Sequence, residues 1–577
     1  MHASGSTSVR LHFRPDASGD GQVEAETWQE ALPPADWDEA LRLLKRINLS
    51  TTPTGERLAS LVTVDGFEPW WFVQDRLFRF TLLPLTRYLP LLARLAGANE
   101  AQLIDAPAEA RRALRALSGR AGFPRFTLAG GLPIAASPSR RVAAWLGQAA
   151  ARLVSNAALI GFRLTRRDTV LYTIDIVSPG LDHDFRISPL YAELRRRGYR
   201  YAEYAHSLSP RIALGNMLRR RRPAVVLEAF DDDPRVSYQL PRAAQPLSAA
   251  EGGTLEDRVL RAVALEVLGW CQASAARYRA LRRALMRQGA RRAIVFDDNR
   301  HNHELVAACH SLGLKVLGFQ HGVFNRFHTG TMAYGFEGAR THAFDLYGVW
   351  GPLFRERLLA GSCLYDADQV VVCGPLRAPH GCPPPADPAA RAAQKDLVRA
   401  GEKASRPRVL LVSEPLARKG EVQTYLEALI GSGRFDLCVK LRPGEEPAGL
   451  RAYGLDPASV RMLQTATVYE AFGQVDLALG TYSTVLYEAA LSLIPTVWLR
   501  TAIAYGRELA EEGLAEAAED PQHVVAAVDR ALRLPREELL RRRDRIWSNA
   551  ADDGARRLVE TGEARLWPEL AHRGRSR

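Results

Sequence analysis

The stretch DLALGTYSTVLYEAALSLIP, residues 476–495, predicts a buried strand, a short polar loop and a helix in immediate succession. Ser483 or Thr484 falls at the N-cap of that helix, where a hydroxyl and the unpaired backbone N–H groups of the first turn point to one spot. Such a spot attracts anions, phosphate above all. Glu488 lies about one turn further on, within reach of sugar hydroxyls on a ligand held there. The same residues also suit an ordinary capped helix.

Apolar runs alternate with amphipathic helical segments on both sides of this stretch, from residue 168 to residue 500. This alternation predicts parallel sheets with helices on both faces. A loop rich in Pro and Gly, residues 375–388, separates two such halves. We therefore predict an α/β fold with two Rossmann-like domains facing a cleft and an N-terminal accessory region. The predicted bounds are 1–140 for the accessory region, 141–380 for the first domain and 389–577 for the second.

The composition limits the classes of function. The chain has 577 residues and a net charge of +12, carried almost entirely by scattered arginines, which favours an anionic ligand or membrane surface over nucleic acid. The six cysteines form no CxxC pair, so neither a disulfide framework nor a zinc site is indicated. The first residues lack the apolar segment of a signal peptide. We expect a cytoplasmic protein, with peripheral contact to the inner membrane as a further option.

Two segments before residue 168 have two interpretations each. The aromatic run around Trp70 and Trp71 suits a packed core or a surface that grips a saccharide ring. The helix predicted over 141–167 can lie on a membrane through Trp145, Leu146, Leu153, Leu159 and Phe162, or pack on the neighbouring domain. Its polar face is not densely charged, which favours packing.

Polar side chains follow several predicted strands at the ends that face the cleft. Asp297 or Asp298 is predicted to be the general base that deprotonates an acceptor hydroxyl. His321 is predicted to share that role or to hydrogen-bond the sugar or phosphate. Arg442 offers a planar fork of donors to the phosphate of the leaving nucleotide. Lys440 is a further donor-binding candidate, although strand alternation can place it on the far face.

Four motifs recur here in the order found in a known superfamily. The motifs are GFQHGVF (318–324), LYGVWGPLFRERLLAGS…VVVCGPLR (346–377), VKLRPG (439–444) and DLALGTYSTVLYEAALSLIPTV (476–497). By these motifs the chain resembles bacterial surface-polysaccharide glycosyltransferases of the GT-B fold, a group similar to the CDP-glycerol glycerophosphotransferases and the bacterial polysialyltransferases. The resemblance covers roughly residues 290–500 and is weak or absent in the first 140.

The resemblance implies roles for individual residues. Ser483 and Thr484 match the family's donor-phosphate pair, with Thr481 in the same loop, and His321 matches the histidine of its QHG motif. Many relatives carry His-Pro where this chain has Arg442 and Pro443. Because arginine donates no proton near neutral pH, leaving-group stabilisation here is expected to be electrostatic.

The predicted function is the transfer of a sugar from a nucleotide-activated donor to a bacterial surface glycan, which is part of the capsule or of lipopolysaccharide. The acceptor glycan is either free or linked to a lipid. No cofactor or metal is implied, since the nucleotide-sugar is a co-substrate and residues 231–233 (three aspartates) look like an acidic loop. The alternatives are a CDP-polyol phosphotransferase, a GT-B-like sugar epimerase, and a non-catalytic protein that binds glycan or nucleotide. We expect no nucleic-acid partner.

Overall fold

The computed structural model contains three β-sheets within the described part of the chain. One is mixed and belongs to the N-terminal region, and the other two are parallel throughout. The structure describes residues 8–15, 21–25, 28–31, 35–95, 98–128, 132–133, 138–174, 187–206, 208–231, 239–249, 252–297, 302–337, 340, 342–376, 406–414, 419–442, 445–458, 460–463, 468–548 and 554–571.

The accessory region forms a mixed six-stranded sheet of order β3-β2-β1-β4-β5-β6. The strands β1 and β4 pair in parallel, with Leu11 opposite Leu103, so the sheet joins segments about 90 residues apart in sequence. The strands are β1 (Ser8–Pro15), β2 (Gly21–Ala25), β3 (Trp28–Ala31), β4 (Glu100–Ile104), β5 (Arg125–Leu128) and β6 (Leu132–Pro133). The helices are α1 (Trp37–Asn48), α2 (Gln74–Leu77), α3 (Leu83–Arg94) and α4 (Ala108–Arg115).

The aromatic run of this region packs in the core. Trp70 and Trp71 are both buried. The indole N–H of Trp70 donates to Asn48 Oδ1 at 2.9 Å, and that of Trp71 donates to Glu68 Oε2 at 2.7 Å. Of the two interpretations of this run, the packed core is therefore confirmed, because neither ring is available to a saccharide.

The first Rossmann-like domain has a seven-stranded parallel sheet of order β13-β12-β11-β10-β7-β8-β9. Every apolar run predicted as a strand in this half contains one. The strands are β7 (Thr169–Ile174), β8 (Tyr201–His206), β9 (Ala224–Val226), β10 (Arg292–Asp297), β11 (Lys315–Gln320), β12 (Leu346–Val349) and β13 (Val370–Val372). The helices are α5 (Pro138–Leu164), α6 (Ser188–Arg196), α7 (Pro210–Arg219), α8 (Gln245–Ala249), α9 (Leu255–Gln288), α10 (Asn302–His310) and α11 (Pro352–Gly361).

Helix α9 is the longest described helix and links this domain to the accessory region. It begins at a capping box formed by Thr254 and Asp257 and ends at Gly289, whose φ of 76° suits glycine. Among the described helices, it is the one that is long and apolar enough to cross a membrane. However, 61% of its most apolar stretch is buried inside the protein. Its contacts with α10, α5 and the Pro69–Val73 turn are those of a core helix.

The second Rossmann-like domain has a six-stranded parallel sheet of order β16-β15-β14-β17-β18-β19. The strands are β14 (Arg408–Val412), β15 (Asp436–Lys440), β16 (Arg461–Met462), β17 (Leu477–Gly480), β18 (Thr496–Leu499) and β19 (Glu516–Ala518). The helices are α12 (Lys419–Gly431), α13 (Val468–Phe472), α14 (Thr484–Leu491), α15 (Glu508–Glu511) and α16 (Val524–Leu532). The predicted strand, loop and helix over 476–495 are β17, the loop 481–483 and α14.

The last three helices are α17 (Arg536–Trp547), α18 (Gly554–Leu566) and α19 (Pro568–Ala571). Helix α17 packs between α14 of the second domain and α11 of the first, and α18 packs on α6, β11 and β12 of the first domain. Trp547 stacks on Trp350 with ring centroids 4.6 Å apart. On α18, Glu560 accepts from Arg197 at 2.8 Å, and Glu563 also pairs with Arg197. The sequence grouped these helices with residues 389–577, yet their contacts cross to α6, α11, β11 and β12.

Candidate functional site

Each parallel sheet has one point at which its strand order reverses. In the first sheet the chain runs from β7 outward to β9 and then restarts on the other side with β10, so the reversal lies between β7 and β10. In the second sheet it lies between β14 and β17. Because ligands of such sheets bind outside the carboxyl ends of the strands at this point, the site is expected after Asp297 in one sheet and after Val412 and Gly480 in the other.

The buried carboxylate of Glu414 lies just after β14, at the point where the strand order of the second sheet reverses. One of its oxygens, Oε1, accepts from the backbone N–H groups of Thr481 at 3.1 Å, Tyr482 at 3.0 Å and Ser483 at 2.8 Å. Its other oxygen accepts from the Thr481 hydroxyl. Glu414 is 2% exposed, and burial raises the pKa of its carboxyl although these hydrogen bonds lower it.

This contact occupies the loop that leads into the predicted anion site, and the site itself stays a prediction. The N–H groups of residues 481–483 are not unpaired, because Glu414 accepts them. Thr481 is fully buried and its hydroxyl donates to Glu414, so its predicted contact with a donor is wrong in this structure. The two residues organise the loop instead. Glu414 was missed from the sequence, where its only signal was a charged residue at the end of an apolar strand.

Ser483 is the N-cap of α14, as predicted. Its Oγ accepts from the backbone N–H of Val485 at 3.2 Å, with φ of −63° and ψ of 141°. Ser483 and Thr484 are both half-buried, so their hydroxyls can reach a ligand in front of the helix. Glu488, one turn into α14, is only 4% exposed and points into the domain. At the start of α14 the side-chain groups that can bind an anion are therefore the hydroxyls of Ser483 and Thr484.

On the opposite sheet, Asp297 is the last residue of β10, in register with Gln320 of β11. Its backbone thus lies at the reversal point of the first sheet. The side chain of Asp297 and the whole of Asp298 lie outside the described residues, and the role predicted for them stays a prediction.

His321 follows β11 directly, one strand away from the reversal point. Its ring is half-buried and lies 5.2 Å from the ring of Phe296 at an interplanar angle of 61°. The turn that carries it is held by Gln320, which donates to the Gly322 carbonyl at 2.9 Å and accepts from the Trp350 N–H at 2.9 Å. The structure therefore places His321 on a fixed turn at the carboxyl edge.

The carboxyl edges of the two sheets face each other across Tyr505, which lies in the loop after β18. Its hydroxyl donates to the carbonyl of Val323, in the loop after β11, at 3.4 Å. Asn325 of that loop donates to the Tyr505 carbonyl. The ring of Tyr505 lies 6.4 Å from that of Tyr482, in the loop after β17. Loops from both sheets thus border one gap.

Gly506, next to Tyr505, allows the loop after β18 to lie against the loop after β17. A Cβ at this position would lie 1.8 Å from the Thr481 carbonyl oxygen, so only glycine permits the approach of the two loops. On the accessory side, Trp37 of α1 packs 6.0 Å from the Tyr505 ring and 5.3 Å from the Phe327 ring. The accessory region therefore closes one side of the gap.

Lys440 and Arg442 lie at the end of β15, on the side of β14 away from β17. Val412 and Lys440 are opposite each other in the sheet. Lys440 is half-buried, which lowers the pKa of its ammonium. Arg442 is exposed, and its backbone N–H donates to Glu445 Oε2 at 3.1 Å. Both side chains start one strand further from the reversal point than Glu414.

A second feature missed from the sequence is an imidazole–carboxylate pair at the carboxyl edge of the first sheet. His206 ends β8, opposite Ile174 of β7, and its Nδ1 lies 2.8 Å from Glu228 Oε1. His206 is 5% exposed. Each residue ends an apolar run, but the pairing joins two separate strands and could not be read from either.

No group of metal-ligating side chains is found in the ranges that the structure describes. Of the three aspartates that resemble a metal motif, Asp231 pairs with Arg277 at 3.0 Å, and the other two lie outside the described residues. The interpretation of this segment as an acidic loop stays a prediction.

No protein-family model matches the chain, and no curated protein matches it. Among solved structures, the chain is similar to CalG4, the calicheamicin glycosyltransferase, at 16% identity and a TM-score of 0.42, over 70% of this chain and 99% of that one. It is similar to a UDP-GlcNAc 2-epimerase from Neisseria meningitidis at 11% identity and a TM-score of 0.41, over 68% and 99%. MurG of Acinetobacter baumannii is similar at 15% identity and a TM-score of 0.39, over 68% and 98%.

The fold predicted from the sequence is confirmed. Two parallel sheets with reversed strand order at their centres present their carboxyl edges to one gap, which is the GT-B arrangement of two Rossmann-like domains.

Proposed function

We propose that the protein is a nucleotide-sugar-dependent glycosyltransferase that acts on a bacterial surface glycan, capsule or lipopolysaccharide. The observation that carries the proposal is the meeting of the two carboxyl edges at Tyr505, with the Ser483 loop on one side and the β10 end on the other. Two substrates held at facing strand ends are in position for direct group transfer.

The second domain is proposed to hold the donor. The hydroxyls of Ser483 and Thr484 would donate to its phosphate, and Arg442, with Lys440, would supply positive charge. As the bond between the anomeric carbon and the phosphate oxygen breaks, the nucleotide leaves with its negative charge. Because arginine stays protonated, this charge would be stabilised electrostatically and not by proton transfer.

The first domain is proposed to hold the acceptor. Asp297, or Asp298 beside it, would take the proton from the acceptor hydroxyl as its oxygen bonds to the anomeric carbon. His321 would hydrogen-bond the sugar or share the base role. The co-substrate is the nucleotide-sugar itself, and no metal or other cofactor enters the proposal.

The test is donor turnover with CMP-, CDP-, UDP-, GDP- and dTDP-sugars, read as nucleotide release and as a new glycosidic product by mass spectrometry. Asp297→Asn is expected to lower turnover about 100-fold or more while nucleotide affinity is retained. Ser483→Ala is expected to weaken nucleotide binding about tenfold in calorimetry, since it removes one hydrogen bond to a charged group.

Ser209→Ala is the matched control, because Ser209 caps α7 by accepting from Ile212 in the same way and lies away from the second domain. It should cost the same helix-cap stability and leave nucleotide binding unchanged. Turnover that yields an epimerised donor would replace the proposal with the epimerase alternative, and binding with no turnover of any donor would replace it with a binding protein.

A further inference from the structure

An apolar stripe runs along the exposed face of α5. Its four largest side chains are 56–78% exposed and recur at intervals of seven, seven and four residues: Leu146, Leu153, Ile160 and Leu164. Ala150 and Ala157 fill the positions between them on the same face and are exposed too. The opposite face, with Ala158, Leu159 and Phe162, is buried. The stripe is therefore apolar surface left over after the helix has packed.

Helix α7 extends this surface on one flank. It packs beside α5, with Ala213 in the same small core as Ala151 and Val154. Ile212, Leu214 and Leu218 of α7 are 48%, 42% and 69% exposed. Seven of the eleven exposed large apolar side chains of the described protein thus lie on two adjoining helices. A contiguous apolar surface of this kind marks an interaction site.

The charged side chains of α5 and α7 have one sign. Residues 138–167 and 209–222 hold eleven arginines and no aspartate or glutamate. Arg152 and Arg163 flank the stripe on α5, and Arg211, Arg219 and Arg220 are exposed on α7. A cavity of about 440 Å³ opens behind Arg152 and is lined also by Arg283 and Arg287 of α9. Asp231 lines it too, but it is paired with Arg277.

We propose that the α5–α7 surface docks on an anionic lipid bilayer. Leucine and isoleucine side chains in one row enter the boundary between headgroups and acyl chains, while flanking arginines bind the phosphates. A second copy of the chain fits less well, because it would place one arginine-rich flank beside another with no carboxylate in either helix to offset the repulsion.

The experiment is co-sedimentation of the full chain with vesicles of phosphatidylcholine and phosphatidylglycerol, and with vesicles of phosphatidylcholine alone. Wild type is expected to bind the anionic vesicles at least tenfold more tightly, and the preference should fall as salt is raised. The double variant Leu153→Glu, Ile160→Glu is expected to lose at least tenfold in affinity, because two charges enter the stripe.

Ile430→Glu is the matched control, since Ile430 is 48% exposed on α12 of the second domain and should bind as wild type does. Arg152→Gln with Arg163→Gln tests the charge separately and is expected to reduce the preference for anionic vesicles. Equal binding to both vesicle types, or unchanged binding of the double variant, would overturn the proposal. So would a wild-type dimer that the double variant converts to monomer in sedimentation velocity. The test needs no substrate, so its outcome is independent of the proposed transferase activity.

Discussion

At the scale of single residues, Glu414 decides the shape of the loop 481–483. A carboxylate this deeply buried is costly to ionise, and three backbone N–H groups and a hydroxyl offset part of that cost. The balance leaves the pKa of Glu414 above its ordinary value. The loop at Ser483 is therefore held by a group whose charge state depends on pH.

The free energy of unfolding should depend on pH because of this titration. Because the pKa of Glu414 is higher in the folded than in the unfolded chain, the folded state binds its proton more tightly. The free energy of unfolding then falls as pH rises from the ordinary carboxyl pKa through the raised one, by about 1.4 kcal/mol for each unit of difference. Glu414→Gln, which mimics the protonated form, should lose this slope in urea denaturation curves measured across that range.

Glu445→Gln provides the comparison, because Glu445 also accepts a backbone N–H beside the end of a strand but lies near the surface. Its curves should follow wild type. If Glu414→Gln keeps the wild-type slope, other carboxyls carry the effect.

At the scale of elements, the return of α17 to the first domain depends on a close backbone contact. A Cβ on Gly351, the residue before α11, would lie 2.2 Å from the carbonyl oxygen of Ile546 at the end of α17. Since backbone cannot move aside as a side chain does, this junction admits only glycine. The stacked Trp350 and Trp547 lie beside it.

Gly351→Ala is expected to lower the free energy of unfolding by about 2 kcal/mol through this clash. Gly431→Ala is the control, because a Cβ on Gly431, at the end of α12, meets nothing within 4 Å. That change should be neutral or stabilising by up to about 1 kcal/mol, as is usual for glycine replaced in a helix. Thermal unfolding followed by circular dichroism measures both, and equal melting temperatures for the two variants would contradict the close contact.

Sequence patterns predicted the elements better than their partners. Period and composition alone located β7–β18 and placed the N-cap at Ser483 or Thr484, because both are local properties. The contact of Glu414 with the 481–483 loop joins residues 67 apart, so no local pattern could show it. The sequence grouped α17 and α18 with the second domain, but a helical pattern does not tell which domain a helix covers.

Helix α5 shows in the same way that a sequence pattern does not identify the partners of an element. The sequence assigned α5 either to a membrane or to a neighbouring domain, and the structure shows packing of one face and exposure of the other. Leu159 and Phe162, named for the membrane face, are buried, whereas Ile160 and Leu164, which were not named, are exposed. Only the three-dimensional neighbours of the helix decide which apolar residues it keeps at the surface.

At the scale of the whole molecule, the two Rossmann-like domains are joined by an ion-pair cluster as well as by Tyr505. Arg357 of α11 in the first domain lies 2.7 Å from Glu512 and 3.3 Å from Glu508 of the second, and it donates to the Phe324 carbonyl at 3.2 Å. Its side chain is 9% exposed, and burial raises the pKa of Glu508.

Arg357→Met is expected to cost about 3 kcal/mol, because two carboxylates at the domain junction lose their shared cation. Differential scanning calorimetry should then show the two domains unfolding in separate transitions, whereas wild type is expected to unfold in one coupled transition. Arg434→Met, which removes an exposed pair with Asp529 inside the second domain, should change stability by less than about 0.5 kcal/mol. A single unshifted transition for Arg357→Met would mean that the cluster does not couple the domains.

The return of α18 also sets an order of events during synthesis on the ribosome. Leu558 and Gly562 cover Gly348 and Leu317 of the first sheet, so strands β11 and β12 gain their outer cover from a segment translated long after them. Until that segment leaves the exit tunnel, apolar strand surface stays open to chaperones and to neighbouring nascent chains. A nascent chain stalled while residues 554–571 are still inside the tunnel should therefore bind ribosome-associated chaperones, and one lengthened by a C-terminal linker that places residue 571 outside the tunnel should release them.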